Sequence, residues 1–323
     1  MVHAIRVREY GGPQVMKWET IDVPVPGPDQ ALIRQTAIGL NFLDTYHRSG
    51  HYPEPLPFSP GNEGAGIVEA IGPGVTTVKP GDRVAYAGVI GAYAETRVIP
   101  AAKLVVIPNG VTDQQAAAMM LKGMTAEYLV RRTYRVKPGD TILIHAAAGG
   151  VGLIVCQWAK HLGATVIGTV GTDEKAALAK AHGCDHPIVT AREDFIARVA
   201  EITDGKKLPV VYDSIGKDTF MKSLDCLAPF GLLAAFGQSS GGVEPLNIGV
   251  LAAKGSLYVT RPTLGTYIAT PALLAETARD LFDVVGKGIV KIAINQTYPL
   301  KDAVQAHIDL ESRKTTGSTI FTV

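Results

Sequence analysis

Cysteine is scarce in this chain. Cys156, Cys184 and Cys226 are its whole complement, an odd number without a CxxC pair. That argues against the paired framework of a small secreted domain and for a reducing, cytoplasmic setting. Long apolar runs are absent as well. No stretch reaches the roughly 18–20 uninterrupted apolar residues that cross a bilayer. The segment "MVHAIRVREYGG" has no charged region followed by an apolar core, so the chain reads as unexported, with no membrane partner. Neither sign of charge is in excess: 31 basic residues face 30 acidic ones, for a formal net charge of +1. A broad basic surface for nucleic acid and an acidic tail are therefore not expected. Internal repeats and low-complexity tracts are missing too.

What the chain has is length and two textures. Its 323 residues exceed the ~250–300 at which single cores stop growing, so two domains are expected. In the first third, short segments such as "HAIRVREY", "ALIRQTAIGL", "GAGIVEAIG", "RVAYA" and "YAETRVIP" are broken by clusters like "VPVPGPD" and "YPEPLPFSPG", the pattern of a compact β-rich domain. At "TDQQAAAMMLKGMTAEYLVRRTY" the texture turns helical. Thr112 with Gln115 reads as a capping box, and Gly123 is expected to divide two helical pieces. From residue 141 apolar runs, "TILIHAA", "TVIGTV", "HPIVT", "PVVYDS", "LLAAFG" and "SLYVTRP", alternate with helical patterns. Such alternation predicts an α/β domain, a doubly wound Rossmann unit with a six-stranded parallel sheet covered on both faces. The tail returns to helix and strand and is expected to rejoin the first domain.

Between the first two of those runs lies "HAAAGGVG". Ala147, Gly149 and Gly152 occupy the three glycine positions of a dinucleotide fingerprint. Glycine at the second lets the backbone approach a pyrophosphate, and at the third lets helix and strand pack closely. The next strand ends at Val170, followed by Gly171 and Thr172, with no acidic residue where NAD-binding units hold the ribose 2′-hydroxyl. Asp173 comes late and Lys175 follows, so the neutral strand end favours NADPH over NADH.

With "NFLDTYHRSGHYP", "LKGMTAEYL", "HAAAGGVG", "VVYDSIG", "FGQSSG" and "GSLYVTRP" in hand, the sequence resembles the NADPH-dependent quinone oxidoreductases, the zeta-crystallin branch of the medium-chain dehydrogenase/reductase superfamily. The resemblance implies a GroES-like catalytic domain over 1–121, a Rossmann domain over 122–263, a segment 264–323 returning to the catalytic domain, a cofactor cleft between domains, and a homodimer or higher oligomer. Zinc-dependent relatives carry a Cys where this chain has Asn41 and a His-Glu pair where it has Asn62 and Glu63. Asparagine is a poor zinc ligand, and three cysteines cannot make a four-cysteine lobe, so no metal is expected.

The same resemblance implies roles for particular residues. Asn41, Asp44 and Tyr46 would lie near nicotinamide and substrate, Asn41 bonding the carboxamide or the substrate oxygen and Tyr46 positioning or protonating that oxygen. The alternatives are a turn-stabilising Asn and Asp and a packed aromatic. Lys122 and Thr125 match positions by the nicotinamide ribose and phosphates. Gly149, Gly150 and Val151 would offer backbone groups to the pyrophosphate, and Gly171, Lys175 and Arg313 would surround the adenosine 2′-phosphate, with Arg313 also holding the domains together. Ser214 and the run Phe236, Gln238 and Ser239 would line the far side of the cofactor, with Tyr258 to Arg261 near the nicotinamide. Where relatives have a tyrosine after the third strand this chain has Thr190, and Arg192 is the substitute cation.

Other residues take plainer readings. His145 and Cys156 are expected in the core, His47 and His51 in an exposed loop, and Glu63 is as fitting to a structural as to a functional role. The expected activity is reduction of a small quinone by NADPH without metal. The alternative is reduction of an activated C=C bond in an enone, alkenal or enoyl thioester.

Overall fold

The structure, a computed structural model, describes residues 2–23 and 25–323; Met1 and Pro24, the latter inside "VPVPGPD", lie outside the described residues. The chain forms two units. One takes the chain up to Met124 together with Ile268–Gly286 and Ile292–Val323, and the other is Thr125–Tyr267 with Lys287–Lys291.

The sheet of the first unit runs in the order Ile294–Pro299, Ser318–Thr322, Gln30–Leu40, Glu63–Ile71, Arg83–Ala87 and Val105–Val106, with Thr96–Pro100 also paired to Gln30–Leu40. Pairing is antiparallel except between Ile294–Pro299 and Ser318–Thr322. The tail does rejoin this unit, Thr319 standing opposite Leu40. Ile33, Ile38, Tyr86 and Phe321 meet in its core. A separate ribbon pairs Val2–Val7 with Met16–Ile21. Sequence patterning misses the second of these strands because "MKWETI" buries only Met16 fully.

Gly123 does not divide the helix in which it sits. That helix runs unbroken over Asp113–Tyr128 and ends in a wider turn, Leu129–Thr133. A Cβ at Gly123 would stand 2.5 Å from Leu281 Cδ1, so the glycine admits the neighbouring helix Pro271–Gly286. Close packing outweighs the ~1 kcal/mol that glycine costs inside a helix. The capping box at the start is as expected: the Gln115 amide donates to Thr112 Oγ1 at 3.1 Å and the Thr112 amide to Gln115 Oε1 at 3.0 Å.

In the second unit six parallel strands are ordered His186–Val189, Thr165–Val170, Thr141–Ile144, Leu208–Asp213, Leu227–Ala235 and Tyr258–Thr260. Leu143, Ile167, Val211 and Leu233 make its core. Chain order reverses where Thr141–Ile144 lies beside Leu208–Asp213, with Ile144 in register with Tyr212. At such a switch point the loops leaving the strand ends part in opposite directions and open a crevice, the place where doubly wound sheets bind ligands. No helix among the described residues is long and apolar enough to cross a membrane.

Candidate active site

The crevice of the second unit is edged by the glycine turn. Gly149 caps the helix Gly150–His161 in an extended conformation. Its own N–H is committed to the Ala146 carbonyl at 2.9 Å, so Gly149 contributes shape more than a donor. The amides of Gly150 and Val151 stand in the first helical turn, where no intrahelical acceptor exists and the helix dipole adds positive potential. A Cβ at Gly152 would lie 2.3 Å from the Ala146 carbonyl oxygen and 2.7 Å from Ala147 Cα, both immovable backbone. The geometry suits a pyrophosphate cradle. Left-handed backbone falls on Ala146, at φ 54°, whereas Ala147 holds the first glycine place of the fingerprint.

The opposite rim of the crevice is stitched by backbone bonds. The Phe236 amide reaches the Asp213 carbonyl at 2.8 Å and the Ser239 amide the Ser214 carbonyl at 3.1 Å. Ser214, Phe236, Gln238 and Ser239 are thereby brought together, all half-buried. The Arg261 guanidinium, by donating to the Ala235 carbonyl at 3.0 Å, ties the last strand to the same rim. Below it the buried Asp213 carboxylate accepts the Ile215 and Gly216 amides at 2.7 and 3.1 Å. His145 is a core histidine, its ring nitrogens 2.8 Å from Thr169 Oγ1 and 2.9 Å from Ser223 Oγ, and Cys156 is fully buried as well.

At the end of strand Thr165–Val170, Gly171 is exposed and a Cβ there would meet nothing within 4 Å. Thr172 caps the next helix by accepting the Lys175 amide at 3.3 Å, and the Lys175 side chain is half-buried. Arg192 already has a protein partner. Its guanidinium forms a two-pronged pair with Asp173 at 2.7 and 2.8 Å, so the late acidic residue faces the substitute cation and offsets it. Arg313 belongs to the other unit, exposed in a left-handed turn (φ 61°) after the helix Ala303–Glu311.

In the first unit Asn41 ends strand Gln30–Leu40 and caps helix Phe42–Arg48. Asp44 completes the cap by accepting the Asn41 amide at 2.9 Å, and also accepts Asn62 Nδ2 at 3.0 Å and the Tyr93 hydroxyl at 2.9 Å. Asp44 is 0% exposed, so it does not face a substrate. Burial pushes its carboxyl up to about 6, against the three hydrogen bonds and the nearby Lys122 ammonium. Glu63, also 0% exposed, accepts the Leu121 amide at 2.8 Å, Asn41 Nδ2 at 2.8 Å and Lys122 Nζ at 2.9 Å.

That carboxylate decides how Asn41 points. A carboxylate only accepts, so Nδ2 must face Glu63, which turns Oδ1 the other way as an acceptor. Lys122 and Thr125, both buried, stand one turn apart on helix Asp113–Tyr128. Tyr46 is half-buried, its ring edge-on to Phe42, His51 and Tyr52 at 5.4–5.6 Å. His51 is exposed as expected, but His47 is half-buried on the helix, and burial lowers its pKa.

The alcohol dehydrogenase GroES-like domain model matches residues 27–109 and the zinc-binding dehydrogenase model residues 150–279. The chain is 54% identical over 323 residues to a quinone oxidoreductase of Pseudomonas aeruginosa, with 99% of both proteins covered. It belongs to the quinone oxidoreductase family. Similar to it as well is the crystal structure of the Escherichia coli quinone oxidoreductase complexed with NADPH, at a TM-score of 0.98 and 49% identity, over 99% of this chain and 100% of that one. A 2-haloacrylate reductase of a Burkholderia species is 48% identical over 330 residues, again with 99% of both covered.

Within the quinone oxidoreductase family this member is zinc-free by the chemistry of its donors. At the three positions compared above with zinc-dependent relatives this chain has Asn41, Asn62 and Glu63, two amides and one carboxylate, and the charge on Glu63 is already met by the Lys122 ammonium. Sequence reading missed Arg48, Tyr93 and His307. They come from three distant places in the chain, and the i, i+4 spacing of Asp44 and Arg48 becomes a signal only once the segment is seen as the helix Phe42–Arg48.

Proposed function

We propose that this protein is an NADPH:quinone oxidoreductase that transfers reducing equivalents to a small quinone without a metal. The observation that carries the reading is the Glu63 cluster. Where a metal-dependent relative would polarise a substrate with zinc, this chain presents an amide oxygen at Asn41 and an ammonium at Lys122, each held by one buried carboxylate. Such a site cannot act as a strong Lewis acid, so it suits an acceptor that is already electron-poor, as quinones are.

When bound, NADPH supplies a hydride from C4 of its nicotinamide. Gly150 and Val151 would donate their amides to the pyrophosphate, with Gly149 and Gly152 keeping the backbone close, and Ser214, Phe236, Gln238 and Ser239 would bound the far side. Asn41 Oδ1 would accept from the carboxamide, and Lys122 and Thr125 would meet the ribose and phosphate. Gly171, Lys175, Arg192 and Arg313 would hold the 2′-phosphate, where the strand end offers no carboxylate to repel it. Tyr46 would orient the quinone and put a hydroxyl near the oxygen on which charge develops. Orientation and exclusion of water then do most of the catalytic work.

A second reading, reduction of an activated C=C bond, is favoured by the similarity to a 2-haloacrylate reductase. Among the described residues the edge strand Tyr258–Thr260 is paired on one side only, and Tyr258 (61% exposed), Phe230 (70%) and Ile248 (78%) lie in this part of the chain. Both features support a homodimer through that edge. A cytoplasmic setting is supported by three free cysteines. The test is NADPH oxidation with a para-quinone, an ortho-quinone, a conjugated enone and 2-chloroacrylate, each repeated with NADH. Fast quinone turnover preferring NADPH is the expected result; turnover confined to the enone or the haloacrylate would replace the first reading by the second.

A further inference from the structure

Behind Asn41 runs a chain of hydrogen bonds whose direction is forced. Arg48 Nη1 stands 2.9 Å from His307 Nδ1, and since a guanidinium only donates, Nδ1 must be the acceptor. The ring proton is therefore on Nε2, which stands 3.0 Å from the Tyr93 hydroxyl oxygen. Tyr93 accepts it and spends its own hydrogen on Asp44 Oδ2 at 2.9 Å. The other end of the chain is anchored where Arg48 grips Glu311 at 2.7 and 3.1 Å. Arg48, His307, Tyr93 and Asp44 are all buried, whereas the Glu311 side chain is 35% exposed.

From the Arg48–His307 contact inward, through His307 and Tyr93, each donor points toward Asp44. The Asn41 amide and Asn62 Nδ2 point there too, so the carboxylate receives three hydrogen bonds and has none to give. The ionised form suits that arrangement best, because all three donors stabilise its charge and each bond weakens when the charge is lost, the bond from the Asn41 amide among them. We infer that Asp44 is a positioning residue for Asn41, kept in its working ionised state by the polarised relay Arg48–His307–Tyr93, so that the acid limit of the reaction is set by a carboxylate that never touches the substrate.

The surroundings of Asp44 agree. Besides Tyr93, Asn62 and the Asn41 amide, Lys122 acts on it from helix Asp113–Tyr128 and favours the ionised form, while burial opposes it and brings the carboxyl up to about 6. Glu63 is a second negative charge felt by Tyr93, and Arg48 acts on Tyr93 in the opposite sense. His307, from helix Ala303–Glu311, stays neutral because burial and Arg48 hold its pKa down at about 3. It can therefore pass polarisation along without itself titrating in the working range.

The inference rests on the quinone reductase reading, and the experiment separates the two. The pH dependence of kcat for quinone reduction is measured from pH 5 to 9 in the wild type, Tyr93→Phe and Asp44→Asn. The wild type should lose kcat below about pH 6. Tyr93→Phe removes one donor from Asp44 and cuts it off from His307, so the acid limb should move up by roughly one pH unit. Asp44→Asn cannot titrate, and should show a flat profile over this limb at a plateau lowered roughly ten- to a hundredfold. If Asp44→Asn fails to fold, as judged by circular dichroism, Tyr93→Phe alone decides. Coincident acid limbs in wild type and Tyr93→Phe would overturn the inference and leave the reading intact. A wild type that turns over no quinone at any pH would sink the reading and the inference with it.

Discussion

The two units carry their candidate functional residues in different material. In the second unit it is backbone: amides of a glycine turn, with Gly149 and Gly152 three residues apart on one strand-turn-helix. In the first unit it is side chains, with Asn41 tied to Glu63 across 22 positions, Lys122 to Glu63 across 59 and Arg48 to Glu311 across 263. A backbone cradle binds what every dinucleotide shares, and it needs only small residues at fixed spacing. A side-chain cluster sets chemistry, and it works only if every buried charge is matched, because an unmatched one carries the full penalty of desolvation.

The largest effect should come from unmatching the first unit. Lys122→Met leaves Glu63 buried with only Asn41 Nδ2 and the Leu121 amide upon it, and should destabilise the protein by about 3–5 kcal/mol in urea unfolding. Quinone reduction should fall at the same time. If stability were unchanged, the cluster would not be the charge-balanced unit that the contrast requires.

Next in size is steric damage to the glycine turn of the second unit. Gly152→Ala drives a methyl into the Ala146 carbonyl oxygen and Ala147 Cα, and should cost about 1–3 kcal/mol, with weaker NADPH binding by titration calorimetry. Gly171→Ala meets nothing within 4 Å and should leave stability unaltered. Equal behaviour of the two would mean that the turn is less tightly built than its distances say.

Acid should sharpen the contrast further, because the first unit holds two buried groups that act in opposite directions. His307 is held at about 3 against an ordinary 6.5, so below pH 6.5 the unfolded chain takes up the proton first and stability is lost as pH falls toward 3. Asp44 is at about 6 against an ordinary 3.8, so the folded chain takes up the proton first and stability is gained as pH falls from about 6 toward 3.8. His307→Gln should therefore remove the acid-labile contribution and raise the urea midpoint at pH 4.5 relative to pH 7.5, compared with the wild type. A parallel shift at both pH values would show that His307 is only packed.

The smallest effect concerns cofactor preference at the surface of the second unit. Asp173→Asn releases Arg192 from its exposed partner, leaves unfolding unaltered, and should improve the NADPH over NADH ratio of kcat/KM a few-fold, more at low salt than at high. An unchanged ratio would place Arg192 away from the 2′-phosphate.

The sequence by itself determined the doubly wound sheet of six parallel strands, the glycine turn, the neutral strand end and the return of the tail to the first unit. These rest on period, on local spacing and on residues whose backbone freedom is readable one at a time. Gly123 marks the limit of that reading. It looks like a helix break until Leu281 is found 2.5 Å from where its Cβ would be. Folding in space was needed to see that Asn41 gives its Nδ2 to Glu63, that Arg192 is paired with Asp173, that His47 is half-buried, and that Arg48, His307 and Tyr93 converge on Asp44. The reason is physical. Donor direction, charge pairing and burial belong to neighbours in space, and here those neighbours lie up to 263 positions apart along the chain.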